Sequence, residues 1–259
     1  MATLRAPGGC PWDRKQTHAS LKPYLIEEAY EVLESIDQED PSRLREELGD
    51  LFLQILFHAQ IGAERDAWTI DDVMQSLADK LIRRHPHVFG TAEQKNATLD
   101  SEDVKVRWEQ IKRDERKETG QSGSLLDGVP KTLPALLRAY QVQARASRVG
   151  FDWPRIEPVI HKLEEELHEF REAMTLVEPE RGSDAQAHVE AEFGDVLFTM
   201  VNMARFLKIN PEEALRKTIA RFVRRFQFVE ARAAKEGRTL EEMTLAELDA
   251  LWEEAKQKT

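Results

Sequence analysis

The sequence has little cysteine, few aromatics and no long apolar run. Each shortage excludes something. A single cysteine, Cys10, rules out a disulfide within the chain and fits a reducing compartment. No segment approaches the roughly 20 consecutive apolar residues of a membrane span. The opening residues, MATLRAPGGCPWD, lack the apolar core of a signal peptide. The expectation is a soluble cytoplasmic protein with no membrane partner. Basic residues are outnumbered by acids, and the net charge is -11 over 259 residues. That argues against a nucleic-acid polymer as partner, which would call for a basic surface. Strand signals are also weak, because β-branched runs with period-two alternation are missing. GGCPWD is glycine-containing but lacks the Lys-Ser/Thr of a phosphate-binding loop, no nucleophilic triad is visible, and no Cys/His cluster suggests zinc.

What is present is helical periodicity with acids set into it. In AEFGDVLFTMVN, residues 191–202, Phe193, Val196, Leu197, Met200 and Val201 form one apolar helix face. Glu192 and Asp195 sit three apart beside that face, and Thr199 and Asn202 continue their stripe. Neighbouring like charges repel on a helix, and Gly194 between them costs about 1 kcal/mol relative to alanine.

The arrangement occurs twice. ELGDLFLQILFHAQ carries Glu47, Gly49, Asp50 and Gln54 where the later copy has Glu192, Gly194, Asp195 and Thr199. Upstream, EEAYEVLESI echoes EELHEFREAM, pairing Glu28 and Glu31 with Glu166 and Glu169. KLIRR echoes RFVRR, and WEQIK from Trp108 echoes WEEAK from Trp252. Trp12-Asp13 and Asp152-Trp153 stand ahead of the acidic pairs in the two halves. The blocks keep one order at spacings of 138 to 145 residues, so the chain reads as two copies of one helical unit. The expected organisation is an N-terminal domain over 1–117, a Gly/Ser/Pro-rich linker over 118–133, and a C-terminal domain over 134–259. The last begins with a helix from Pro134 to Val149, stopped by Gly150. Expected helix starts are Asp40-Pro41, a capping box at Ser183 with Gln186, and Asn210-Pro211. Pro86 should end the helix that carries KLIRR.

Packing the two acidic helices of a unit by their apolar stripes would bring four carboxylates to one seam. Such a cluster repels itself unless a cation joins it. Mg²⁺ suits the oxygen donors, and it leaves positions for water and phosphate oxygens. Gly194 would then let a neighbouring helix or ligand come close. Taken singly, an E-x-x-E or E-x-x-D pair is an ordinary solvated helix face; two pairs in register, repeated, are not.

Those residues resemble the metal signature E-x-x-E, then E-x-x-D, of the MazG family of nucleoside triphosphate pyrophosphohydrolases. GCPWDRKQTH, RRHPHVF, RWEQIK and VGFDW are similar to its two-domain bacterial form, and the resemblance runs over almost the whole chain. It implies an all-α fold of two tandem MazG-like helical bundles. It also implies Mg²⁺-dependent hydrolysis of NTPs and dNTPs to the monophosphate and pyrophosphate, in a homodimer. By the same resemblance Glu166, Glu169, Glu192 and Asp195 hold the metal. Lys162, Glu165, Arg221 to Arg225 and Trp252 line the nucleotide pocket, and the C-terminal half is the main hydrolytic site.

The residues carry part of this by themselves. Arg221, Arg224 and Arg225 lie within about one helical turn and suit forked contacts to phosphate oxygens, or form a solvated basic face. Trp252 offers a flat surface for a base, or anchors the last helix. Lys256 reaches a phosphate or pairs with Glu253. The general base is left open between Glu169 and a water-bridging Glu165. Glu28, Glu31, Glu47 and Asp50 form a possible second metal site, and the N-terminal unit is either a second site with other specificity or a structural dimerisation module. His85 and His87 read as turn elements, and His58, His161, His168 and His188 as locally satisfied or exposed. Three classes of function follow: a pyrophosphohydrolase, a nucleotide sensor without turnover, and a ligand-free scaffold.

Overall fold

A computed structural model describes residues 1–91, 111, 124–177 and 183–258. They form helices, turns and no strand. The chain divides into two compact units, Met1–Gln121 and Ser122–Thr259. Trp108 of the WEQIK block, residues 118–123 of the expected linker and the side chain of Ser183 lie outside the described residues.

The first unit holds α1 (Ala2–Arg5), α2 (Pro11–Lys15), α3 (Lys22–Asp37), α4 (Pro41–Ala63), α5 (Ile70–Arg84) and α6 (Pro86–Phe89). Only residues 38–40 separate α3 from α4, so the two run antiparallel as a tight hairpin. Glu39 takes the left-handed conformation at the reversal (φ 53°). Asp40 then caps α4, accepting from the backbone N–H of Ser42 (3.0 Å) and Arg43 (3.1 Å), with Pro41 at the first helical position. Thr69 and Asp72 form a reciprocal capping box at the start of α5. That helix stops at His85, before Pro86, as the proline requires. Leu21, Phe57 and Ile61 make the buried core, with Met1 against it. Arg5 holds the N-terminal segment down by a two-pronged bond to Glu64 (2.8 and 2.7 Å).

Gly62 on α4 meets a packing demand that periodicity does not reveal. A Cβ there would lie 2.7 Å from the Trp68 indole and 3.0 Å from its carbonyl oxygen. Gly62→Ala is therefore expected to destabilise the first unit by about 1–3 kcal/mol. Gly194 differs from the expectation of a close approach: a Cβ there meets nothing within 4 Å. Gly194→Ala is expected to be neutral or to stabilise by up to about 1 kcal/mol through helix propensity. Chemical denaturation of the two variants checks the contrast, and equal effects would contradict it.

The second unit holds α7 (Ala135–Ser147), α8 (Glu157–Val177), α9 (Ser183–Phe206), α10 (Pro211–Lys235), a 3-10 turn (Leu240–Glu242) and α11 (Leu245–Lys258). The helix α7 ends at Ser147, short of the expected Val149, and the turn after it closes at Gly150 in the left-handed conformation (φ +83°), which glycine reaches without strain. Arg145 on α7 donates to the carbonyls of Asp127 and Gly128, fixing the segment ahead of the helix to this unit. Asn210 caps α10 by accepting from Glu213 N–H (3.2 Å). α8 and α9, five residues apart in sequence, pack side by side and so run antiparallel, as α3 and α4 do. α7 packs on α9 and α10, and α11 on α10.

Both units leave broad apolar surface uncovered. Phe52 on α4 is 51% exposed, and Phe222 on α10 is 54% exposed. Leu48, Leu53 and Ile55 on α4, and Leu215, Ile219, Val223 and Phe226 on α10, are exposed as well.

Candidate active site

The α8–α9 hairpin brings three of the four expected carboxylates of the second unit together. Oxygens of Glu166, Glu169 and Glu192 lie within 4.8 Å of one another. Glu166 is buried, 6% exposed, and receives Lys162 Nζ at 2.9 Å from one turn earlier on α8. The same ammonium donates to Glu165 at 2.8 Å. These two bonds hold the Lys162 pKa well above its ordinary value. Glu169 is more exposed, yet its pKa is raised by partial desolvation and by the carboxylates of Glu166, Glu165 and Glu192, against the opposing pull of Lys162. His188 Nδ1 stands 3.5 Å from Glu192. Asp195 lies outside the three-oxygen group but lines the same cleft as Glu166 and Lys162.

A cation fits this donor set on chemical grounds. Three carboxylates held this close repel, and that repulsion adds to the desolvation that raises the Glu169 pKa. All offer hard oxygen ligands of the kind that Mg²⁺ takes.

The cleft beside these acids has a volume of about 670 Å³ and is built from the second unit alone. Leu126, Val142, Ala146, Phe151, Trp153 and Phe198 line it as well. Several of its polar groups are tied down. Arg205 makes a two-pronged ion pair with Asp152, and it donates to Asn202 Oδ1 from Nε (3.2 Å) and Nη2 (2.8 Å). Gln143, buried on α7, donates from Nε2 to the Phe198 carbonyl at 2.8 Å.

The other expected substrate contacts sit on α10 and α11 and do not line the cleft. Arg221 bonds Thr218 Oγ1 at 3.1 Å, Arg224 is exposed and Arg225 half-buried. Trp252 packs on Phe222 (ring centroids 5.1 Å apart), which stacks on Phe226 (6.0 Å). Lys256 pairs with Glu253.

Sequence reasoning missed Gln143 and the structural part of Arg205. The signal for Arg205 was there: Glu192, Asp195, Thr199, Asn202 and Arg205 recur at three- and four-residue steps along one stripe of α9. Gln143 had no such signal, since it is one of two glutamines on α7, with Gln141, and neither belongs to a repeated pattern.

The first unit has the acids without the cleft's chemistry. Oxygens of Glu28, Glu47 and Asp50 lie within 4.8 Å of one another, and Glu31 is outside that group. Burial, Asp50 and Glu31 raise the Glu28 pKa, while Gln54 donates to it at 3.4 Å. At the spacing that aligns Glu28 with Glu166, Tyr24 stands where the second unit has Lys162. At the spacing that aligns Asp50 with Asp195, Phe57 replaces Asn202. Trp12 packs edge-on against both, at 5.5 Å from Tyr24 and 6.2 Å from Phe57. Beside them, His18 and His58 share an Nδ1···Nδ1 hydrogen bond of 2.7 Å.

The sequence was also compared with known proteins. The MazG nucleotide pyrophosphohydrolase domain matches twice, over residues 16–89 and 155–229. A nucleoside triphosphate pyrophosphohydrolase/pyrophosphatase MazG of Thermotoga maritima is 48% identical over 257 residues, covering 99% of this chain and 92% of that protein. A nucleoside triphosphate pyrophosphohydrolase of Escherichia coli K12 is 43% identical over 257 residues, covering 99% of this chain and 94% of its own length. YabN of Bacillus subtilis is 50% identical over 254 residues, but that match spans only half of its length. The doubled acidic hairpin and the doubled domain match are one feature seen in two ways: the chain belongs to the MazG nucleotide pyrophosphohydrolase family.

Proposed function

We propose that this MazG-family enzyme hydrolyses both ribo- and deoxynucleoside triphosphates to the monophosphate and pyrophosphate, using Mg²⁺ and chiefly the second unit. The observation that carries this reading is the group of Glu166, Glu169 and Glu192 oxygens within 4.8 Å of one another, with Glu166 and Lys162 lining a cleft. Glu166, Glu169, Glu192 and Asp195 would hold the ion. Bound there, Mg²⁺ supplies charge neutralisation along the triphosphate and polarises its phosphorus.

The chain's own residues do the rest. Lys162 offers a cation to the phosphates at the acid cluster. A carboxylate on α8, Glu169 or Glu165, takes a proton from the attacking water. The water oxygen bonds to the α-phosphorus, the bond to the bridging oxygen breaks, and pyrophosphate leaves. The apolar cleft walls exclude bulk water from the reacting end. Arg221, Arg224, Arg225, Trp252 and Lys256 reach the substrate if a second copy of the chain completes the site. Phe222 and Phe226 carry exposed surface on the same helix as the three arginines.

That uncovered apolar surface supports a homodimer. Light scattering at micromolar concentration should give twice the 29.8 kDa of one chain. A monomer mass would contradict the dimer. The activity is tested by pyrophosphate release from the four ribo- and four deoxynucleoside triphosphates, with and without Mg²⁺. Turnover that requires metal supports the reading. Tight binding without turnover would favour a nucleotide sensor instead.

A further inference from the structure

Gln143 is a buried amide with half of its hydrogen bonding unmet. It is 7% exposed and forms part of the cleft wall. Its Nε2 donates to the Phe198 carbonyl, while its Oε1 is buried with no partner. The orientation follows from chemistry: a carbonyl only accepts, so the nitrogen must face Phe198 and the oxygen must face away. A buried acceptor left unmet is destabilising, and folded proteins rarely keep one without a use.

The surroundings say what kind of donor it awaits. The cleft lining includes Lys162, Glu166 and Asp195, the groups for phosphate and metal. It also includes apolar and aromatic side chains, with Trp153 and Phe198 suited to a flat ring. Among the other polar groups, Thr199 adds a buried hydroxyl to the lining. Asp152 and Arg205 satisfy each other, and Arg205 occupies Asn202 Oδ1, which leaves the Asn202 amide nitrogen as the donor that residue can offer. Among the fully buried side-chain atoms of the described lining residues, the Gln143 oxygen is an acceptor without a partner.

We infer that the apolar lining beside Gln143 is a nucleobase subsite in which Gln143 Oε1 accepts an N–H from the hydrogen-bonding edge of the base. The inference rests on the reading that the second unit cleaves nucleoside triphosphates at the Glu166 cluster. It makes Gln143 a specificity-determining residue, set apart from the carboxylates that serve the phosphates. The subsite takes bases that carry an exocyclic amino group or a ring N–H on the six-membered ring. A base with neither leaves the Gln143 oxygen buried and unmet.

The test compares ATP with purine riboside 5′-triphosphate, whose six-membered ring carries no N–H. The wild-type chain should favour ATP in kcat/KM by about ten- to a hundredfold. In Gln143→Leu, and in the closer-shaped Gln143→Met, that preference should shrink to within about threefold. Hydrolysis of the purine analogue should persist in both, which also shows that the variants fold. Equilibrium binding of the two triphosphates should show the same narrowing. A wild-type chain that treats the two alike, or variants that keep the full preference for ATP, would overturn the subsite. Loss of pyrophosphate release from both substrates in the wild-type chain would count against the hydrolase reading, and the binding ratio would then decide the subsite separately.

Discussion

Replacing Glu192 or Asp195 by alanine is expected to lower pyrophosphate release by about a thousandfold or more. Each tenfold corresponds to about 1.4 kcal/mol of barrier, and the loss of metal-borne charge stabilisation is of the order of several kcal/mol. The fold should survive. Glu192 stands within a cluster of like charges, so removing it relieves repulsion. In the absence of divalent metal the variant should melt at the wild-type temperature or above it. Added Mg²⁺ should raise the melting temperature of the wild-type chain, because an ion that binds only the folded state stabilises it by mass action. Both variants should lose most of that gain. Turnover near the wild-type rate in either would remove the residue from the active site.

The second large effect concerns the two halves. Glu28→Ala combined with Glu31→Ala should leave most of the activity, within about threefold. Glu166→Ala combined with Glu169→Ala should abolish it. The acids are similar in the two units, so the difference lies in what stands beside them. Lys162 gives the second unit a cation held against Glu166, whereas the first unit has Tyr24 at that position. Asn202 and Arg205 keep a polar wall beside an open cleft, whereas Phe57 and Trp12 pack together with Tyr24. A unit with its acids but with Tyr24 in place of that lysine is expected to contribute little to turnover. Steady-state kinetics on the two double variants of the full chain decides the matter. A collapse of turnover in Glu28→Ala/Glu31→Ala, with activity kept in Glu166→Ala/Glu169→Ala, would assign the wrong half.

Much of this was legible in the sequence, for reasons that differ by feature. Helices with local signals were readable: Asp40-Pro41, Asn210-Pro211, Pro86 and Gly150 act through neighbouring backbone, and each does in the fold what its chemistry requires. The doubling was legible because blocks of acids, arginines and tryptophan recur in one order. The acidic clusters were legible because three-residue spacing puts carboxylates on one helix edge, and a short connection turns two such edges toward each other. Features that depend on distant contacts were hidden. Nothing local marks Gln143 as buried against Phe198, since 55 residues separate the two. Gly62 is fixed by Trp68 across a turn, whereas Gly194, which looked like the close-approach glycine, has open space beside it. The arginines of α10 were readable as a basic group. Their distance from the cleft was not, because it depends on how α10 packs on α7 and α9.

The most direct test of the central claim is hydrolysis of ATP in ¹⁸O-labelled water, with the label located by mass spectrometry, with and without Mg²⁺. Attack at the α-phosphorus in a metal-dependent site predicts one ¹⁸O atom in the monophosphate, unlabelled pyrophosphate, and no reaction without the ion. Label in the pyrophosphate, or release of orthophosphate as the first product, would contradict it.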